Sequence, residues 1–110
     1  MSSKKKILLL VQQNQNQSSR TYLEFDSIPL CMEGVCAMYE KKLKDLNPEL
    51  TSICYDIGDL YDFIDGLKDI SALVYDPNVH GFLPYDRQWI KHRSFQHLRK
   101  LAAPVQKDIK

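Results

Sequence analysis

The sequence predicts an α+β domain. A four-stranded, mainly antiparallel sheet carries three helices on one face, in the order β-β-α-α-β-β-α, and pairs as a homodimer through its other face. Three observations lead there. Strand-like segments come in pairs rather than alternating with helices, which points away from a parallel βαβ fold. Three amphipathic helical segments are enough to cover one face of such a sheet but not two. The first strand, "KILLLVQ", is apolar at five successive positions from Ile7 to Val11, so both of its faces are greasy when side chains alternate across a pleat.

Length and composition set the frame. A chain of 110 residues is one domain, read here as residues 7–103 between a flexible N-terminus (1–6) and a flexible basic tail (104–110). With 44% hydrophobic and 26% charged residues and a net charge of +1, the composition is that of a globular protein and excludes wholesale disorder. No apolar run approaches the roughly 20 residues that a bilayer crossing needs, so no membrane role is expected. Gln12, Gln13 and Asn14 stand where a small-residue cleavage site would follow the apolar run, which argues against a signal peptide. Three cysteines at unrelated spacings make no disulfide framework and fit a reducing compartment, cytosol or nucleus.

The elements follow in order. Ile7–Gln13 reads as the first strand and "NQNQSS" as a polar loop. Arg20 to Phe25 alternates partially, with Thr21, Leu23 and Phe25 on one side, and reads as a hairpin partner of the first strand. Ser27-Ile28-Pro29 opens a helix, with serine as N-cap and proline in the first turn. Apolar residues at 28, 32, 35, 36, 39, 43 and 46 give it one buried face, and Asn47-Pro48 ends it. Gly34 costs this helix about 1 kcal/mol relative to alanine, a loss that a close approach to the sheet would explain. Asp56 caps a shorter helix, Ile57 to Leu67. Ile70 to Tyr75 is a strand, Asp76-Pro77-Asn78 a turn, and Gly81 to Tyr85 a short strand that Pro84 places at an edge or near an end. The last helix runs from Asp86 to about Ala102.

The first strand carries the functional argument. Ile7, Leu9 and Val11 form the longer apolar row, assigned to the helix-covered core. Leu8 and Leu10 lie between Lys6 and Gln12, an apolar patch with a polar rim, which is how a protein contact is built. The simplest partner is a second copy, with Leu8, Leu10, Thr21 and Leu23 expected at the contact. Two buried leucines would contribute about 3–6 kcal/mol per subunit before association costs. The alternative is a central strand buried on both sides within one chain.

Charge is uneven. Residues 86–110 hold seven Lys or Arg against two Asp, and residues 1–85 hold eight against twelve acidic residues. The basic end, with Arg87, Lys91, Arg93, Arg99 and Lys100, is a candidate contact for RNA or an acidic partner, unless it is simply a solvated helix face. Trp89 and Phe95 on this helix could stack bases, though anchoring the helix is the commoner use of such rings.

Signs of catalysis are lacking. Asp56, Asp59, Asp62 and Asp65 recur every third residue but spiral around a helix without converging, so no metal is expected. Cys31 and Cys36 point apart by about 140°, Cys54 stands alone, and no CxxC, HExxH, glycine-rich phosphate cradle or GxSxG is present. His80, His92 and His97 read as surface residues. No cofactor and no enzymatic activity are expected.

The stretches "ILLLVQ", "RTYLEFDS", "CMEGVCAMYEKKLKDLNP", "YDIGDLYDFIDGL", "ALVYD" and "PYDRQWIK" together resemble the enhancer of rudimentary homolog family, from about Ile7 to Lys91. The resemblance implies a homodimer joined through the bare sheet face. It also implies a non-enzymatic adaptor that captures short segments of RNA-processing proteins, mostly in the nucleus with the cytoplasm as a second location. Messenger RNA decay and splicing, small-RNA biogenesis and cell-cycle progression are among the family's roles. Thr21 matches a family phosphoacceptor and keeps an acidic residue three positions on, Glu24. Phosphate there is expected to weaken dimerisation. Ser27 aligns with a second acceptor, but Leu30 replaces the acidic residue three positions on, so Ser27 is read as a cap. Direct RNA binding by the basic last helix is the alternative function.

Overall fold

The computed structural model describes residues 6–49 and 55–102, the last two for their backbone only. The expected flexible ends and Cys54 fall outside these residues, apart from Lys6. Strands β1 (Ile7–Gln12) and β2 (Arg20–Phe25) come first, then helices α1 (Ile28–Leu46) and α2 (Ile57–Gly66). Strands β3 (Asp69–Asp76) and β4 (Gly81–Tyr85) and helix α3 (Arg87–Ala102) complete the chain. This is the order the sequence predicts. The single addition is a 3-10 turn at Gln17–Ser19 inside the polar loop, where the Asn16 side chain accepts from the Ser18 amide.

The four strands pair antiparallel in the order β2-β1-β3-β4. Strand β1 is therefore central, and β2 and β4 are edges, with Pro84 on an edge where its missing N–H is tolerated. Residues paired across an antiparallel ladder share a face. Ile7 pairs with Phe25 and Val74, Leu9 with Leu23 and Ala72, and Val11 with Thr21 and Ile70. This row lies under the helices. Ile7, Leu9, Val11, Ile70 and Ala72 are buried there with Met32, Val35, Leu60, Ile64 and Ile90.

Each helix start is set by its own residues. The Ser27 hydroxyl accepts from the Leu30 amide, and Asp86 accepts from Trp89. Asp56 and Asp59 form a reciprocal capping box. Burial in α1 is confined to its first half, at Cys31, Met32, Val35 and Cys36, while Leu46 is exposed. The apolar period continues beyond the sheet that it could cover.

Gly34 sits where α1 meets β2. A Cβ at this position would lie 2.5 and 2.8 Å from ring atoms of Phe25, so the helix can approach the strand only because position 34 has no side chain. Gly34→Ala gains helix propensity of roughly 1 kcal/mol and meets an overpacking cost of about 1–3 kcal/mol. The expected outcome in urea denaturation is a lower midpoint with an unchanged m-value.

Candidate functional site: an open apolar sheet face and a basic-rimmed groove

The second face of the sheet carries no helix among the described residues. By register, Leu8 stands between Glu24 and Leu73, and Leu73 is followed by Pro84. Leu10 stands between Tyr22 and Ser71, and Tyr75 pairs with Phe82. Four large apolar side chains on this face are exposed: Tyr22 at 63%, Phe82 at 43%, Leu10 at 38% and Tyr75 at 37%. Tyr75 and Phe82 meet edge to face with ring centroids 5.5 Å apart. One end of the face is closed by polar groups: Arg20 Nε donates to Gln12 Oε1 (2.9 Å), and Gln12 Nε2 donates to the Asn14 carbonyl (2.8 Å). An apolar centre with a polar rim is the anatomy of a protein contact.

The register corrects the sequence-based grouping of the contact residues. Leu8 and Leu10 are on the open face, but Thr21 and Leu23 pair with Val11 and Leu9 and so lie on the helix side of β2. Both remain exposed because β2 is an edge. The hairpin register decides this, and the alternation within β2 alone leaves it undetermined. Phosphate on Thr21 would point away from the Leu8–Leu10 face, which removes the reason to expect that it opposes burial there. Tyr22, Leu73, Tyr75 and Phe82 were not singled out from sequence; counting register outward from Leu8 and Leu10 would have found them.

The basic residues of α3 divide into two groups. Arg87 is engaged within the fold. Its Nη1 donates to the carbonyls of Ile64 (2.7 Å), Leu67 (2.9 Å) and Asp65 (3.2 Å), and Nη2 donates to Lys68 (3.4 Å). One guanidinium thus caps the C-terminus of α2, where carbonyls lack intrahelical partners and the dipole favours a cation. Lys91 is engaged too, with Nζ 2.9 Å from Asp65 Oδ2 and 4.9 Å from the Tyr61 ring centroid. Arg87 and Lys91 are therefore corrected from candidate partner contacts to internal ties between α3 and α2.

Arg93, Arg99 and Lys100 are placed otherwise. With Gln96 and His97 they form one wall of an open groove of about 600 Å³. Its floor is Ile28, Pro29 and Met32 from the start of α1. The Arg93 guanidinium lies over Trp89 at 5.4 Å and that of Arg99 over Phe95 at 5.6 Å. Trp89 also stacks on Tyr85 of β4 at 4.4 Å, so it anchors α3 to the sheet.

Neither described cysteine is poised as a nucleophile. Cys31 is wholly buried, and burial pushes its thiol from the ordinary 9.0 up to about 12. Burial raises Cys36 as well, against a hydrogen bond with Tyr55. Tyr55 is itself raised by burial and by donating to Glu40 Oε2 at 2.7 Å. No group of three or more His, Cys, Asp or Glu among the described residues could hold a metal ion. No helix among them is long and apolar enough to cross a membrane.

The fold and these surfaces define a small α+β protein with one bare apolar sheet face. The sequence model of the enhancer of rudimentary family matches residues 3–104, and the chain belongs to that family. It is 50% identical to the enhancer of rudimentary homolog of Arabidopsis thaliana over 101 residues, covering 92% of this chain and 93% of that one. Identity to the homolog of Dictyostelium discoideum is 42%, covering 86% and 95%. With protein enhancer of rudimentary of Drosophila virilis it is 46%, covering 86% and 91%.

Two outcomes test these assignments. Arg87→Ala leaves the terminal carbonyls of α2 without their cation and is expected to destabilise the fold by about 1.5–3 kcal/mol. Arg99→Ala, with no such role, is expected to change stability by less than about 0.5 kcal/mol; thermal melts compare the two. For the pH dependence, the unfolded chain loses the Cys31 proton near pH 9, and the fold retains it to about 12. Stability is therefore full below pH 9 and falls as pH rises through that window. Urea midpoints at pH 8 and 10 are expected to show the decline, and Cys31→Ala to reduce it.

Proposed function

We propose that the chain acts as a non-enzymatic homodimeric adaptor. Two copies close their bare sheet faces against each other, and the pair holds short segments of RNA-processing proteins. Its setting is the nucleus, with the cytoplasm as a second location. The observation that carries this reading is the open face of β1. Leu8, Leu10, Leu73, Tyr75, Phe82 and Tyr22 occupy one side of a sheet whose other side already has its helices. Exposed contiguous apolar patches mark interaction sites, and an isologous contact lets one patch satisfy itself. Membership of the enhancer of rudimentary family supports the same reading.

The pair presents every other surface twice, so a partner that carries two copies of a segment gains avidity without new contacts. Messenger RNA decay, splicing and small-RNA biogenesis are the processes in which such a scaffold would work. Direct RNA binding by α3 is the weaker reading, because Arg87 and Lys91 are already engaged by α2. No cofactor enters the proposal.

Analytical ultracentrifugation is expected to find a dimer at micromolar concentration. Leu8→Arg/Leu10→Arg removes about 3–6 kcal/mol of apolar burial per subunit and should raise the dimer dissociation constant by two orders of magnitude or more. A wild-type monomer at micromolar concentration, or a charge variant that still pairs, contradicts the proposal. Affinity capture from nuclear extract with mass spectrometry should recover RNA-processing proteins with wild type and fewer with the variant.

A further inference from the structure

The groove between the start of α1 and the second half of α3 is a separate surface from the open sheet face. Its assignment rests on the adaptor reading above. The floor is aliphatic, from Ile28, Pro29 and Met32, and the wall is cationic, from Arg93, Arg99 and Lys100 beside His97. No carboxylate among the described residues lines it. Its volume, about 600 Å³, falls within the range of sites that enclose a small ligand or a few side chains. The rings of Trp89 and Phe95 lie beneath two of the guanidinium groups. Such stacking limits the freedom of an arginine while leaving its N–H edges available.

We propose that this groove docks a short acidic segment of a partner protein that carries one bulky apolar side chain. The apolar side chain rests on Ile28, Pro29 and Met32, and flanking Asp or Glu carboxylates meet Arg93, Arg99 and Lys100. Charge complementarity selects this occupant. The chain's own residues 103–110 hold Lys107 and Lys110 against Asp108, the wrong sign for a cationic wall. A second copy is already assigned to the opposite side of the sheet. RNA is the less favoured occupant because no Phe, Tyr or Trp among the described residues lines the groove, and an aliphatic floor of Ile28, Pro29 and Met32 gives successive bases no stacking platform.

Selection of random dodecapeptides displayed on phage against the full-length chain tests the proposal. Enriched peptides are expected to be net acidic and to contain a Leu, Ile, Phe or Trp. A synthetic enriched peptide, titrated by fluorescence anisotropy, should bind about tenfold more weakly to Arg99→Gln/Lys100→Gln, the effect of losing two partly exposed ion pairs. Affinity should hold for Lys44→Gln/Lys68→Gln, which removes two exposed cations elsewhere. Thermal melts confirm that both variants fold. The proposal is overturned by failure to enrich, by enrichment of neutral or basic peptides, or by equal affinity for the two variants. Tighter binding of a uridine dodecamer than of any peptide also overturns it. Sedimentation of the same samples reads pairing separately. A dimer without peptide binding sinks the groove alone, and a monomer sinks the adaptor reading.

Discussion

Strand β1 is apolar on both faces, and it lies second in a sheet of four strands whose helices all pack on one side. A pleated strand sends alternate side chains to opposite faces. One row, Ile7, Leu9 and Val11, is buried by the chain itself, while Leu8 and Leu10 emerge on the far side with only sheet neighbours around them. No rotation or slip relieves the excess, because a one-residue shift exchanges the two rows. Neighbouring strands enlarge the patch by adding Tyr22, Leu73, Tyr75 and Phe82 in register. The proposed pairing of two copies begins from that surplus.

The helix layer opposite is fixed by a few local devices. Phe25 and Gly34 set how near α1 comes to the edge strand. The guanidinium of Arg87 gathers four carbonyls at the end of α2, and Lys91 adds a salt bridge to Asp65 one turn further on. Tyr39 joins the seam between α1 and α2 by stacking on Phe63 and meeting Tyr55 edge on, each at 5.0 Å. Buried polar atoms find partners here; even Ser94, wholly buried, donates its hydroxyl to Met32 Sδ at 3.4 Å.

Much of this was legible in the sequence because it is local. Strand pairs, helix periods, the caps at Ser27 and Asp56 and the helix start at Asp86 each depend on residues a few positions apart, and all appear where expected. The helical glycine also signalled a close approach, without naming Phe25 as its cause. Long-range geometry was not legible. Which side of β2 faces the helices depends on the hairpin register, so Thr21 and Leu23 were grouped with the wrong row. Whether a basic residue is free depends on what folds beside it. Arg87 and Arg99 look alike in a helix period, yet one meets the end of α2 across 20 or more residues and the other borders a groove. The groove itself joins residues from two distant helices and has no sequence signature.

The contact between Phe25 and Gly34 also has a bearing on how such a chain can vary. Two positions nine apart in sequence share one volume, so they behave as a single character: anything larger at 34 demands something smaller at 25. A lineage that replaces the phenylalanine with leucine would release the glycine, and alanine could then enter and strengthen the helix. Until that first step occurs, the weak point in α1 is locked in place by a ring on a neighbouring strand.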